Sequence, residues 1–145
     1  MEILVLRADQ ALEYAPSVPT YALRIINSPK MRTLFPSGLL VQSPNYKQIK
    51  EYAFDDCDPL YNPEPKNTIM FNEKIAEQIL CDFREGKDGC ASLLIHCGLG
   101  LNRSPAVAIA LNEIFRLGND TEKMKRDYPL YTVYIYNVLR KMAEN

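Results

Sequence analysis

The fold is decided by residues 91–104, which read ASLLIHCGLGLNRS. An apolar, strand-like run leads into Cys97, a glycine-bearing loop follows, and Arg103 and Ser104 open an apolar stretch of helical character. Backbone N–H groups of a loop that opens a helix converge on one concavity and favour a negatively charged guest. Arg103 adds a planar fork that suits two oxygens of a phosphate, and the same positive field favours the nucleophilic thiolate form of Cys97. The sequence therefore predicts an anion-binding loop with a thiol at its base.

Strand and helix patterns alternate around this loop. Strand patterns occur at 2–7, 21–26, 38–42, 46–56 and 91–96, and a loop or short helix follows the first. Helical spacing occurs at 71–86, about 104–117, 121–126 and about 132–143. This alternation predicts one α/β domain over 1–145, with three layers and a central, mostly parallel sheet of four or five strands flanked by helices. In such folds a ligand binds where a sheet strand ends and a helix begins, which is the position of Cys97.

Charge and hydropathy exclude several classes of partner. The chain has 17 Lys and Arg against 18 Asp and Glu, a formal net charge of -1, which argues against a nucleic-acid footprint. No apolar run approaches the roughly 20 residues of a membrane span. The apolar N-terminal run is interrupted by Arg7 and Asp9 too soon for a signal peptide. We therefore expect a protein of the reducing cytosol, with neither nucleic acid nor membrane as its partner.

The cysteines and the single histidine limit the metal chemistry. The four cysteines are Cys57, Cys81, Cys90 and Cys97, and no two of them form a CxxC pair. One histidine, His96, cannot complete a histidine-rich metal site. The sequence therefore predicts neither a metal nor a cofactor.

Residues 96–104 match the pattern H-C-x-x-G-x-x-R-[S/T]. On these residues the chain resembles the cysteine-dependent protein tyrosine phosphatase superfamily, and its length and loop placement resemble the small, dual-specificity-like branch. The resemblance extends over roughly residues 50–117, because an aspartate-bearing segment precedes the motif. It implies a phosphoric monoester hydrolase that acts through a phosphocysteine intermediate on phosphorylated protein, at phosphotyrosine and also at phosphoserine or phosphothreonine if the pocket is shallow.

The resemblance assigns a role to each position of the motif. Cys97 would attack phosphorus, and Arg103 would hold the equatorial oxygens of the phosphoryl group. Ser104 would hydrogen-bond the thiolate and ease its departure, although it could also cap the helix. His96 would position the loop by hydrogen bonding rather than serve as the acid. The phosphate would lie against the residues between nucleophile and arginine, which are Gly98, Leu99, Gly100, Leu101 and Asn102.

The resemblance also implies an aspartate, on a separate loop, that protonates the leaving oxygen. The candidates are Asp55, Asp56 and Asp58, at the end of the predicted strand 46–56. Alternation along a pleat puts Asp56 on one face with Tyr52 and Phe54, which makes Asp56 the first choice and Asp55 the second. Solvated turn residues are the alternative interpretation of all three.

Cys57 lies next to these aspartates in sequence. If this loop folds over the site, a reversible Cys57–Cys97 disulfide would protect the nucleophile from over-oxidation.

Two other classes of protein share part of this pattern. A rhodanese- or arsenate-reductase-like enzyme also has an anion-binding cysteine loop, but His96, the spacing to Arg103 and Ser104 favour phosphatase chemistry. A non-catalytic phosphate-binding module lacks the cysteine or the arginine, so inactivity here would require a missing acid. In the superfamily that the chain resembles, members that act on highly phosphorylated lipids or inositols tend to have lysines in this loop. The loop between Cys97 and Arg103 contains no charged residue, so the resemblance disfavours those substrates. A modestly charged phosphoprotein monoester is the predicted substrate.

Overall fold

The computed structural model describes residues 1–29, 38–57 and 68–144. Strands and helices alternate through most of these ranges. The elements are β1 (Glu2–Arg7), α1 (Ala8–Glu13), β2 (Thr20–Ile26), β3 (Tyr46–Ala53), α2 (Glu73–Gly86), β4 (Ser92–Cys97), α3 (Arg103–Phe115), α4 (Thr121–Asp127) and α5 (Val133–Ala143). The predicted α/β class is confirmed.

The described strands form one sheet in the order β1-β4-β2-β3, and every neighbouring pair is parallel. Strand β4 lies between β1 and β2, and all six of its residues are buried. A continuous apolar run of this kind is what a parallel strand covered on both faces requires. Because the strands are parallel, their carboxyl ends meet at one edge of the sheet, and Cys97 is the last residue of β4.

Helices cover both faces of the sheet. On one face Leu93 belongs to the main core with Phe83 of α2 and residues of α3 and α5. On the other face Leu94 packs with Ala11 of α1 and with Leu40. This alternation of neighbouring β4 residues between two cores produces the three predicted layers.

Helix α3 lies in the interior, directly after the loop that follows β4. Its first ten residues are all buried, and three of them are alanines that allow close packing against the sheet. Among the described helices, none combines the length and apolarity needed to cross a bilayer.

The prediction of a strand at 38–42 is wrong, because this segment contains no strand. Leu40 is buried against Ala11, Ala22 and Leu94, on the second face of the sheet. The segment therefore covers the sheet instead of extending its edge, and its apolar residues serve packing rather than strand pairing.

The predicted strand 46–56 ends earlier than expected, at Ala53. Phe54 still donates its N–H to the Ile26 carbonyl of β2 at 3.1 Å. The next residue, Asp55, donates its N–H to the Ile69 carbonyl at 2.7 Å, outside the sheet. The chain therefore leaves the sheet at its carboxyl edge, next to the end of β2.

Candidate active site

The predicted nucleophile lies at the junction of strand, loop and helix. Cys97 ends β4 and is 2% exposed, and Ser104 lies in the first turn of α3. The Sγ of Cys97 is 3.2 Å from the Ser104 Oγ, within hydrogen-bonding distance for a sulfur. Residues 98–102, which lie between Cys97 and Arg103, are called the signature loop below. The end of β4 and the first turn of α3 thus hold a thiol and a hydroxyl in contact on either side of this loop.

The first and last carbonyl groups of the signature loop are bonded to the surrounding protein. Ala8 donates its N–H to the Gly98 carbonyl at 3.0 Å, and Thr132 donates to the Asn102 carbonyl at 3.1 Å. Within the described residues, no acceptor takes the N–H groups of 98–102. These donors are therefore available to an anion, as an anion-binding nest requires.

Gly100 allows the loop to pack against the end of β1. Its φ of +72° is in the left-handed region, and a β-carbon at this position would lie 3.1 Å from the Leu6 carbonyl oxygen. Both the backbone conformation and the close approach favour glycine.

Arg103 is buried, and hydrogen bonds from one of its terminal nitrogens hold its guanidinium in place. Its Nη1 donates to the Asn27 Oδ1 at 2.7 Å and to the Phe54 carbonyl at 2.8 Å. Asn27 follows β2 and Phe54 follows β3, so the ends of two strands fix the guanidinium. No acceptor among the described residues takes its Nε or Nη2, and this edge of a guanidinium suits two oxygens of one phosphate.

His96 is buried beside the nucleophile and is bonded at both ring nitrogens. Its Nε2 accepts from the Arg24 Nε at 3.1 Å, and its Nδ1 lies 3.4 Å from the Cys97 carbonyl oxygen. Burial, and then the positive charge of Arg24, lower the pKa of His96 from 6.5 to about 4. His96 is therefore neutral at pH 7.

The candidate aspartates differ in their surroundings. Asp55 is 4% exposed, and its two carboxylate oxygens accept the N–H groups of Ser28 at 2.9 Å and Ile69 at 2.7 Å. Asp56 is exposed. Asp58 lies outside the described residues. The alternation that favours Asp56 in the sequence ends with β3, at Ala53. Asp55 is bonded to two other segments of the chain, whereas the Asp56 side chain is exposed to solvent.

Cys57 follows Asp56 in the chain and is buried, and its N–H donates to the Asp55 carbonyl at 2.9 Å. Cys57 and Cys97 are both free thiols, and a disulfide between them stays a prediction. In the parts of the chain that the structure describes, no group of three or more His, Cys, Asp or Glu side chains could hold a metal ion.

Two residues that contact the site were not identified from the sequence. Arg24 and Asn27 are 72 and 76 positions away from their partners His96 and Arg103. One signal for Arg24 is a charge within the otherwise apolar strand β2. For Asn27 the signal is its position after a parallel strand, at the edge where ligands bind.

No protein-family model and no curated protein sequence matches this chain. The fold is similar to that of a solved structure, Tk-PTP in the active form, with a TM-score of 0.56 and 16% identity over 99% of this chain and 90% of that one. A second similar structure, PTPMT1 in complex with PI(5)P, has a TM-score of 0.49 and 11% identity with the same coverage. The chain thus shares its α/β fold with the protein tyrosine phosphatase Tk-PTP.

Proposed function

We propose that this chain is a cysteine-dependent phosphoric monoester hydrolase that acts on phosphorylated protein side chains. One observation carries the proposal. The Cys97 thiol and the Ser104 hydroxyl are 3.2 Å apart at the two ends of a loop whose N–H groups have no acceptor among the described residues. Arg103 adds a guanidinium edge, Nε and Nη2, from which no described residue accepts a hydrogen bond. A nucleophile, an anion-binding nest and a charge clamp are the parts that phosphoryl transfer through a covalent intermediate requires.

In the first step the Cys97 thiolate attacks phosphorus. A sulfur–phosphorus bond forms while the bond from phosphorus to the leaving oxygen breaks, and that oxygen takes a proton from Asp56. The loop N–H groups and Arg103 stabilise the charge on the three equatorial oxygens. Asp56 is assigned this proton because its side chain is exposed, whereas both oxygens of Asp55 already accept backbone N–H groups.

In the second step a water molecule attacks the phosphocysteine. The Asp56 carboxylate takes a proton from the water, the sulfur–phosphorus bond breaks, and inorganic phosphate leaves. The Ser104 hydroxyl donates a hydrogen bond to the departing thiolate, for which the 3.2 Å separation is suitable. His96 is neutral at pH 7, and its role is to position the signature loop rather than to transfer a proton.

The substrate class is inferred from the charge around the anion. None of the residues 98–102 is charged, and the formal net charge of the chain is -1. A substrate with several phosphates would be held by additional cations, and residues 98–102 supply none. A single phosphoryl group on a tyrosine, serine or threonine side chain therefore suits this site best.

The proposal is tested by hydrolysis of p-nitrophenyl phosphate. Cys97→Ser is compared with Cys81→Ser, a matched control because Cys81 is an exposed thiol on α2. We expect turnover, with an initial burst of p-nitrophenol, in the unmodified chain and in the control, and none with Cys97→Ser. Undiminished turnover with Cys97→Ser would contradict the proposal. The proposal would also be contradicted if the unmodified chain did not hydrolyse p-nitrophenyl phosphate but transferred sulfur from thiosulfate, which is the reaction of the rhodanese-like alternative.

A further inference from the structure

Three polar side chains form a row across the sheet, next to the candidate nucleophile. In strand register, Arg24 of β2 stands opposite His96 of β4 on one side and Glu51 of β3 on the other. Its Nε donates to the His96 Nε2 at 3.1 Å, and its Nη1 lies 3.3 Å from the Glu51 Oε1. Its Nη2 donates to the Gly38 carbonyl at 2.5 Å. We call His96, Arg24 and Glu51 the polar row.

The position of Arg24 is unusual for a guanidinium. The residue is 4% exposed, in a strand whose neighbours Leu23 and Ile25 belong to the main core. Arginine is almost never buried unless it is paired. Its counter-ion Glu51 has a side chain that is 50% exposed, so solvent weakens that ion pair. An apolar residue would fill a buried strand position at lower electrostatic cost, so packing alone does not account for the arginine.

We propose that Arg24 is a positioning residue, which fixes the tautomer of His96 and through it the orientation of the Cys97 carbonyl. This inference rests on the proposed function, because it assigns Arg24 to the same site.

The tautomer follows from the donors of the guanidinium. An arginine N–H is always a donor, so the His96 Nε2 that accepts it must carry a lone pair. The proton of a neutral imidazole then lies on Nδ1. Nδ1 is 3.4 Å from the Cys97 carbonyl oxygen and donates to it. In the other tautomer a lone pair on Nδ1 would face that carbonyl, and the two acceptors would repel each other.

The charges around His96 keep it in this neutral form. Arg24 faces it from β2 and Arg103 acts on it from α3, and both positive charges oppose a second proton on the ring. On the β1 side its register partner is the uncharged Leu6. Glu51, from β3, contacts Arg24. The Nδ1–H of His96 thus bonds the Cys97 carbonyl and holds the first peptide of the signature loop in one orientation.

The tautomer can be observed directly, because His96 is the single histidine of the chain. In the ¹⁵N imidazole spectrum of histidine-labelled protein we expect one neutral form, with its proton on Nδ1, between about pH 5 and pH 8. Arg24→Met should give a mixture that includes the Nε2-protonated form. Arg24→Lys, which keeps a donor and the charge, should restore part of the Nδ1 form, and Glu51→Gln should leave the spectrum unchanged.

Either of two spectra would overturn the inference. The first is a spectrum of the unmodified chain in which His96 is protonated at Nε2. This result needs no variant, so it would overturn the inference even if Arg24→Met does not fold. A pure Nδ1-protonated ring in folded Arg24→Met would show that the Cys97 carbonyl alone selects the tautomer.

Kinetics provide the second readout. A misplacement of about 1 Å at a reacting group costs on the order of a hundredfold in rate. We expect Arg24→Met to lower kcat about tenfold to a hundredfold, with a smaller change in KM, and Arg24→Lys to recover part of the loss. Unchanged kcat in a variant with an altered tautomer would refute the positioning role. If the unmodified chain has no phosphatase activity, the proposed function fails, while the spectra still decide what sets the His96 tautomer.

Discussion

Replacing Asp55 and Asp56 by asparagine, one at a time, separates stability from catalysis at adjacent positions. The buried Asp55 carboxylate accepts the N–H groups of Ser28 and Ile69 with different oxygens. An amide has one oxygen, so one of these two donors would face an NH₂ group. A buried donor left without a partner costs about 1–3 kcal/mol, and we expect Asp55→Asn to lower the free energy of unfolding by this amount. Asp56 is exposed, and its replacement should change that free energy by less than about 0.5 kcal/mol.

The effects on turnover should have the opposite order. A positioned general acid contributes on the order of 10²–10⁴-fold, so Asp56→Asn should lower kcat for phenyl phosphate, a poor leaving group, by a hundredfold or more. Its effect on p-nitrophenyl phosphate should be much smaller, because p-nitrophenolate leaves without a proton. Asp55→Asn, assayed where it is fully folded, should lose less activity than Asp56→Asn on phenyl phosphate. Urea unfolding and initial rates with both esters provide the measurements.

Two results would contradict the assignment of Asp56 as the general acid. If Asp55→Asn abolishes turnover of phenyl phosphate while Asp56→Asn does not, Asp55 is the acid despite its two backbone bonds. If neither change has a selective effect on the poor leaving group, the proton comes from elsewhere, and Asp58→Asn becomes the next variant to assay.

Three further predictions concern the residues around the nucleophile. Because the pKa of folded His96 is about 4 against 6.5 for an ordinary histidine, the unfolded chain binds a proton between these values that the folded chain does not. The titration of His96 should therefore lower the free energy of unfolding, measured in urea, by roughly 3 kcal/mol between pH 7 and pH 4. His96→Asn should lack this contribution to the pH dependence. Ser104→Ala should slow hydrolysis of the phosphocysteine, so rapid-mixing kinetics should show a distinct burst followed by a lower steady rate. Gly100→Ala should be more destabilising in thermal melts than Gly89→Ala; both positions have positive φ, but only Gly100 approaches a carbonyl, that of Leu6.

The part of the site that is local in sequence could be predicted from it. An apolar run that ends at Cys97, a glycine-bearing loop and an apolar helix are specified by consecutive residues, and the structure contains them in this order. The polar row could not be predicted in this way, because Arg24 and Glu51 meet His96 only through the order of strands in the sheet. The position of the Arg103 guanidinium depends in the same way on Asn27, which follows the distant strand β2.

The errors in the sheet have a related origin. Residues 38–42 have an apolar pattern that suits a strand, but strand formation requires a neighbouring strand with free edge groups. Here Leu40 instead covers a face of the sheet. The choice between Asp55 and Asp56 likewise depends on Ser28 and Ile69, whose proximity the alternation along 46–56 does not encode.

The proposed function requires that the phosphoryl group pass through the thiol of Cys97. Acid-quenching the chain during turnover of p-nitrophenyl phosphate, followed by mass-spectrometric mapping of the modified peptide, measures this step. We predict one phosphoryl group, on Cys97, in larger amount in Ser104→Ala and absent from Cys97→Ser. A phosphoryl group on another side chain, or turnover by Cys97→Ser at the unmodified rate, would contradict the account.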